Sequence, residues 1–231
     1  MTQWTSTASP HRYAYLPSRP PPAPKVTTSW RELGNIVVAA SVLTFDIAYI
    51  AYQSFSLGIG GWWGAALFGV AAALTGFVFH ELAHKVAAQR RGYWAEFRMS
   101  LWGLSFSVIT TIVIGFLFAA PGATMVSGMS DREAWGRTSL AGPALNLAEG
   151  GVFTAIGLGL IAVPAASAYA PFLILLGFFN GWFATFNLIP IGPLDGHRVL
   201  AWDRGVWAGA FVVSAALAIF TFLVFYGFLV L

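Results

Sequence analysis

Cysteine is absent from the 231 residues, and charged side chains make up only 9% of them. Without a thiol there is no disulfide, no thiol nucleophile and no cysteine-held cluster or haem. Soluble domains carry about 25% charged residues, so this poverty of charge excludes an ordinary soluble fold. Disorder is excluded too, because 58% of the residues are hydrophobic and have surface to bury. Twelve Lys and Arg against nine Asp and Glu leave a net charge of +3. These basic residues lie scattered between apolar runs and form no basic face, so no nucleic-acid partner is expected. The start of the chain lacks the charged segment and apolar core of a signal peptide. Residues 1–32 instead hold Pro17, Pro20, Pro21 and Pro22. They are expected to form a flexible cytosolic tail ahead of one membrane-embedded domain over 33–231.

Long apolar runs are plentiful. Crossing a hydrocarbon core of about 30 Å takes about 20 mostly apolar residues. Residues 33–56, 62–88, 138–163 and 205–231 qualify, and a fifth run from Tyr169 to Pro190 is interrupted only by Asn180 and Asn187. Residues 104–119 form a shorter run, β-branched at its middle, for which strand and helix both stay open. Upstream, Phe97, Met99 and Leu101 alternate with Arg98 and Ser100, Gly103 can turn the chain, and Pro121-Gly122 ends the run. A re-entrant β-hairpin is the favoured reading, its backbone satisfied by protein or a wet cavity.

The placement of charge favours the same count. No Lys or Arg falls in Leu57–Gly61 or Val163–Ala170. Five crossings plus a hairpin bring every basic residue to one face, cytoplasmic by the positive-inside bias. A sixth crossing would put Arg132, Arg137, Arg198 and Arg204 on the other side. The expected architecture is an α-helical polytopic protein of the cell membrane. It has about five transmembrane helices, with the hairpin between the second and third and the N-terminus in the cytoplasm.

Late in the second span stands His80-Glu81-Leu82-Ala83-His84. Imidazoles at i and i+4 share one helical face and can grip one zinc ion, with the intervening Glu a candidate base. A pair of core histidines is the plain alternative, but two imidazoles and a carboxylate in an apolar helix are costly unless they face a partner or a wet cavity. A catalytic zinc usually takes three protein ligands and keeps an open position. Asp46, Glu149, Asp195 and His197 are the candidates for the third. Asp195 stands out because Pro190 and Pro193 break the end of a span and can turn its carboxylate back into the bundle. At about 1.5 Å per residue, His80 lies about 15 Å inward of Arg90.

At these residues the chain resembles the site-2 protease family of intramembrane zinc metalloproteases. The resemblance rests on His80-Glu81-x-x-His84, on Gly142-Pro143-Ala-Leu-Asn146, and on Asn187-x-x-Pro190-x-x-Pro193-Leu194-Asp195-Gly196, and it covers about residues 60–200. It implies a three-helix catalytic core with one Zn2+ held by His80, His84 and Asp195. Glu81 would be the base, and Asn187 a candidate donor to substrate or oxyanion. The implied reaction is hydrolysis within transmembrane segments near the cytosolic face, releasing a tethered regulator or clearing remnant peptides. The implied partners are a single-span membrane protein or membrane peptide and the lipid bilayer.

Bland readings stand beside these. Gly142 and Pro143 can simply allow close helix packing while Asn146 bonds between helices. Asp46 and Glu149 are more simply paired or protonated than functional. Lys85 is expected to snorkel to the cytosolic face, and His197 to sit at the interface. An inactive relative and a transporter are the competing functional classes. Substrate identity and oligomeric state are not legible.

Overall fold

The computed structural model describes residues 25–54, 61–118 and 121–230. Of the expected tail over residues 1–32, residues 1–24 lie outside the described residues, as does the loop over 55–60. The last three residues of that stretch are not tail but the start of a helix, and Thr27 is hydrogen-bonded to Gln89.

Helix formation follows the apolar runs, and the helix ends follow local caps. Helix α1 (Trp30–Ser54) opens three residues before the expected span, with the Ser29 hydroxyl accepting from Glu32 N at 3.1 Å. The second long helix runs Gly61–Gln89 in three parts: α2 (Gly61–Ala73), a π-helical turn (Leu74–Val78) and α3 (Phe79–Gln89). Helix α5 (Arg132–Ile161) starts six residues before the expected span. Its polar first turn is capped by the Asp131 carboxylate, which accepts from Ala134 N at 2.8 Å. A 3-10 turn (Ser167–Tyr169) leads into α6 (Ala170–Asn187), followed by a short α7 (Asp195–Trp202) and by α8 (Arg204–Val230). Among the described residues, five helices are long and apolar enough to cross a membrane.

Two strands, β1 (Trp94–Met99) and β2 (Gly122–Ser127), pair antiparallel with Phe97 opposite Thr124. The expected hairpin is thus present between the second and third long helices, but its second strand is not at 104–119. That segment is mostly helix α4 (Leu101–Ile114). The Ser100 hydroxyl caps its start by accepting from Gly103 N at 3.1 Å, and Gly115 closes it in the left-handed region at φ 71°. β-Branched residues tolerate a helix when tertiary contacts reward it, and here Ser107 Oγ donates to Asp46 Oδ2 of α1 at 2.8 Å. Fourteen residues rise only about 21 Å, too little to cross the hydrocarbon core. The strand pairing falls instead to 122–127, past the Pro121-Gly122 that seemed to end the run.

The main core lies between α1, the second long helix and α6. Phe68 and Phe179 meet edge to face at 5.4 Å, and Phe77 packs on Phe97 of β1 at the same distance. Lys85 does not snorkel. It is buried, with Nζ donating to Glu32 Oε2 at 2.5 Å and to Thr28 Oγ1 at 2.7 Å. Phe97 N donates to the other Glu32 oxygen at 3.0 Å. Gln89 joins the same junction by accepting from Thr27 N at 2.8 Å and donating to Ala95 O at 2.8 Å. The segment leading into α1 is therefore fastened to both α3 and β1. An ammonium next to a carboxylate inside protein has no reason to reach for water.

Candidate metal centre

The site is built on the meeting of α3 with α5. His80 and His84 stand one turn apart on α3, and Thr138, Gly142 and Asn146 are spaced by four on α5, so each set makes a single stripe. His84 Nδ1 lies 2.8 Å from Thr138 O, and His80 Nδ1 lies 3.3 Å from Asn146 Oδ1. The Asn146 amide is oriented by its own Nδ2, which donates to Gly76 O at 2.9 Å. That carbonyl belongs to the π-helical turn, where the regular ladder is interrupted. Both histidines therefore face acceptors with Nδ1. Each ring proton belongs there, and both Nε2 lone pairs are left free.

Gly142 lies between the two bonded positions. A Cβ there would clash with Nε2 of both histidines, at 2.6 Å from that of His80 and closer still to that of His84. Its role is to clear the space in front of the imidazoles, which goes beyond close helix packing.

Asp195 arrives from the other side. Helix α6 stops at Asn187, the chain turns through Pro190 and Pro193, and Asp195 is the first residue of α7. Two contacts fasten α7 to α5. The Arg198 guanidinium sits 4.7 Å from the Trp135 ring, and Arg137 sits 5.4 Å from the Trp202 ring.

His80 Nε2, His84 Nε2 and Asp195 Oδ2 form a triangle with edges of 3.0, 3.0 and 3.3 Å. Bonds of about 2.0–2.1 Å at tetrahedral angles require donors about 3.3 Å apart. Three buried donor atoms this close, with both Nδ1 atoms facing acceptors elsewhere, form a group that could hold a cation between them. Among the described residues this is the one group of three His, Asp or Glu that could hold a metal ion. Two nitrogens and one carboxylate oxygen suit zinc and leave a fourth position for water or substrate.

A cavity of about 140 Å3 opens onto the triangle, lined by residues that include Glu81, Thr124, Asn187 and Arg198. Thr124 Oγ1 donates to Glu81 Oε2 at 2.7 Å. Asn187 spends one amide hydrogen on Phe183 O at 3.0 Å and keeps the other. The structure therefore gathers His80, Glu81, His84, Asn187 and Asp195 at one place. It leaves the other polar candidates out. His197 is exposed and does not line the cavity. Asp46 is buried against α4, and Glu149 has a buried oxygen without a partner away from the cavity. Thr124 and Thr138 were not foreseen. One acts from a strand beyond the expected hairpin and the other through a backbone carbonyl, which no side-chain motif reports.

Comparison with known proteins points the same way. Two relatives bear the name "Putative zinc metalloprotease". MJ0611 of Methanocaldococcus jannaschii is 34% identical over 182 residues, covering 78% of this chain and 88% of that protein. Rip3 of Mycobacterium tuberculosis is 31% identical over 140 residues, covering 60% of this chain and 31% of that protein. No family model and no solved structure matches the chain. A donor triangle of zinc dimensions and a relative aligned over most of both chains lead to one assignment: the chain belongs to the zinc metalloproteases and is a hydrolase that uses zinc.

Proposed function

We propose that this enzyme is an intramembrane endopeptidase of the site-2 type that cuts transmembrane segments near the cytoplasmic face. The observation that carries the reading is where the donor triangle lies. His80 is nine residues before the end of the helix Gly61–Gln89, one of the five long apolar helices. At about 1.5 Å per residue this is about 14 Å inside the end of the helix. A soluble protease has no reason to sink its histidines to that depth in an apolar bundle.

Zinc, when bound, polarises the scissile carbonyl and acidifies water at the open position. Glu81 takes a proton from the attacking water as the new carbon–oxygen bond forms. It then gives that proton to the leaving amine as the carbon–nitrogen bond breaks. The free amide hydrogen of Asn187 steadies the oxygen that gains negative charge. His80, His84 and Asp195 hold the ion, while Asn146 and Thr138 keep the rings turned towards it.

A peptide bond in a helix is shielded by its own hydrogen bonds, so the substrate must be unwound where it is cut. The β2 edge not paired with β1 borders the cavity and offers an extended segment a strand to pair with. Five crossings would bring the basic residues to one side, and the positive-inside bias supports reading that side, with the hairpin, as cytoplasmic. Substrates of this reading are single-span proteins or remnant membrane peptides.

The test uses the purified full chain in detergent, with its zinc content measured, and a panel of single-span substrates. We expect one zinc per chain and cutting within the span, lost in Glu81→Gln although zinc is kept. Equal cutting by the variant would remove Glu81 from its role. Stoichiometric zinc with no cutting of any membrane segment would defeat the intramembrane reading.

A further inference from the structure

Thr124 has two faces, and they point at different parts of the reaction. On β1, Phe97 N donates to Glu32 Oε1 at 3.0 Å, and Ala95 O accepts from Gln89 Nε2 at 2.8 Å. The backbone groups of Ala95 and Phe97 therefore turn away from β2. In an antiparallel ladder, residues so turned belong to pairs that exchange no hydrogen bonds, and their opposite numbers turn outward as well. Phe97 faces Thr124 and Ala95 faces Val126. The backbone N–H and C=O of Thr124 thus point to the outer edge of β2, and among the described residues no group bonds to either. Its hydroxyl, by contrast, donates to Glu81, with Oε2 at 2.7 Å the nearer acceptor and the Glu81 carbonyl O farther at 3.3 Å. The nearer bond holds one carboxylate oxygen and leaves the other for the proton.

We propose that Thr124 is a positioning residue whose hydroxyl sets the Glu81 carboxylate while its backbone receives the substrate strand. Docking of substrate and alignment of the base then share one residue. The proposal rests on the endopeptidase reading above and adds to it a residue outside every motif of the sequence. The physical gain is register. A strand paired with β2 lies about 4.7–4.9 Å from it. Movement of β2 to accept that strand carries the Thr124 hydroxyl, and with it Glu81, in step. A base held only by its own helix would have no such link to the bound chain.

The experiment compares Thr124→Val with Thr124→Ser in the purified, zinc-loaded full chain. Valine keeps the shape and suits a strand, but it cannot donate. We expect kcat to fall about tenfold to a hundredfold, as for loss of a hydrogen bond to a charged group that fixes a reacting atom. KM should stay within about threefold and zinc content should not change. Serine, which keeps the hydroxyl, should restore kcat to within about threefold of wild type. A valine variant within about twofold of wild type, a serine variant as slow as valine, or a loss confined to KM overturns the proposal.

A second arm needs no activity. In zinc-free protein, amide hydrogen exchange over residues 122–127 should quicken in Thr124→Val and in Glu81→Ala. The double variant should exchange no faster than the faster single one. Additive acceleration, or none, overturns the tie. If wild-type protein holding zinc cuts no single-span substrate, the endopeptidase reading fails, and this arm still decides whether the strand holds the base.

Discussion

Around His80 and His84 the bonds run to helix backbone, or to a side chain that is itself braced by backbone: Thr138 O for one ring, and Asn146 held on Gly76 O for the other. The hairpin and α4 are fastened differently. Their ties rest more on pairs of side chains, namely Thr124 on Glu81, Ser107 on Asp46 and Lys85 on Glu32, with backbone reached at Phe97 N, Ala95 O and Glu81 O. Backbone partners cannot change rotamer and side chains can. The expectation is that the half around His80 and His84 is the stiffer one and that the hairpin half can adjust. On the proposed intramembrane reading that division is useful, because the donor triangle would tolerate little displacement while the strand above it would accept a guest.

This contrast can be broken from either side. The largest effect is expected at Gly142→Ala, where the new Cβ would lie 2.6 Å from His80 Nε2 and closer still to His84 Nε2, far inside contact distance. Zinc should be lost altogether, as read by metal analysis, while circular dichroism still reports a helical protein. Next comes the joint at α1. Glu32→Ala leaves the fully buried Lys85 ammonium without its carboxylate, and breaking such a pair costs about 3–5 kcal/mol. It should lower the thermal midpoint sharply. The double change with Lys85→Met should recover much of the loss, because no unpaired charge is left behind.

A smaller effect is expected where the rigid half is trimmed without being blocked. Asn146→Ala removes the partner of His80 Nδ1 and should weaken zinc about 10- to 100-fold in chelator competition, with little change in thermal midpoint once zinc is saturating. The smallest is expected at Ser107→Ala, which removes one bond between α4 and α1 and should cost about 1 kcal/mol, leaving zinc affinity untouched. If Ser107→Ala weakened zinc as much as Asn146→Ala does, the two halves would not be mechanically distinct.

Much of the architecture was readable because hydrocarbon thickness imposes length. The five runs reappear as five helices, displaced at their ends where polar first turns such as Arg132–Arg137 carry no apolar signal. Helix α7 went unseen because an eight-residue amphipathic helix has too little sequence to announce itself. Residues 104–119 leave strand and helix open in the sequence, with a hairpin favoured, because Val, Ile and Thr suit both states; Ser100, Gly115 and the Asp46–Ser107 bond decide for helix. At the site, His80 and His84 were legible as one turn of helix, and Asp195 through its prolines. Thr138, Asn146 and Glu32 act across separations of 54 to 66 residues, which no local pattern records. For the same reason the sequence alone points Lys85 to the surface, since its partner lies 53 residues away.

The order of residues along the chain was enough to determine the apolar spans, the paired imidazoles and the kind of metal they suit, because each depends on spacing within one element. Only the tertiary structure decided which way the imidazoles turn, what clears the space before them, and which strand holds Glu81. Those depend on the antiparallel packing of α3 against α5 and on the register of β1 with β2. Both bring together groups that neighbour one another in space alone.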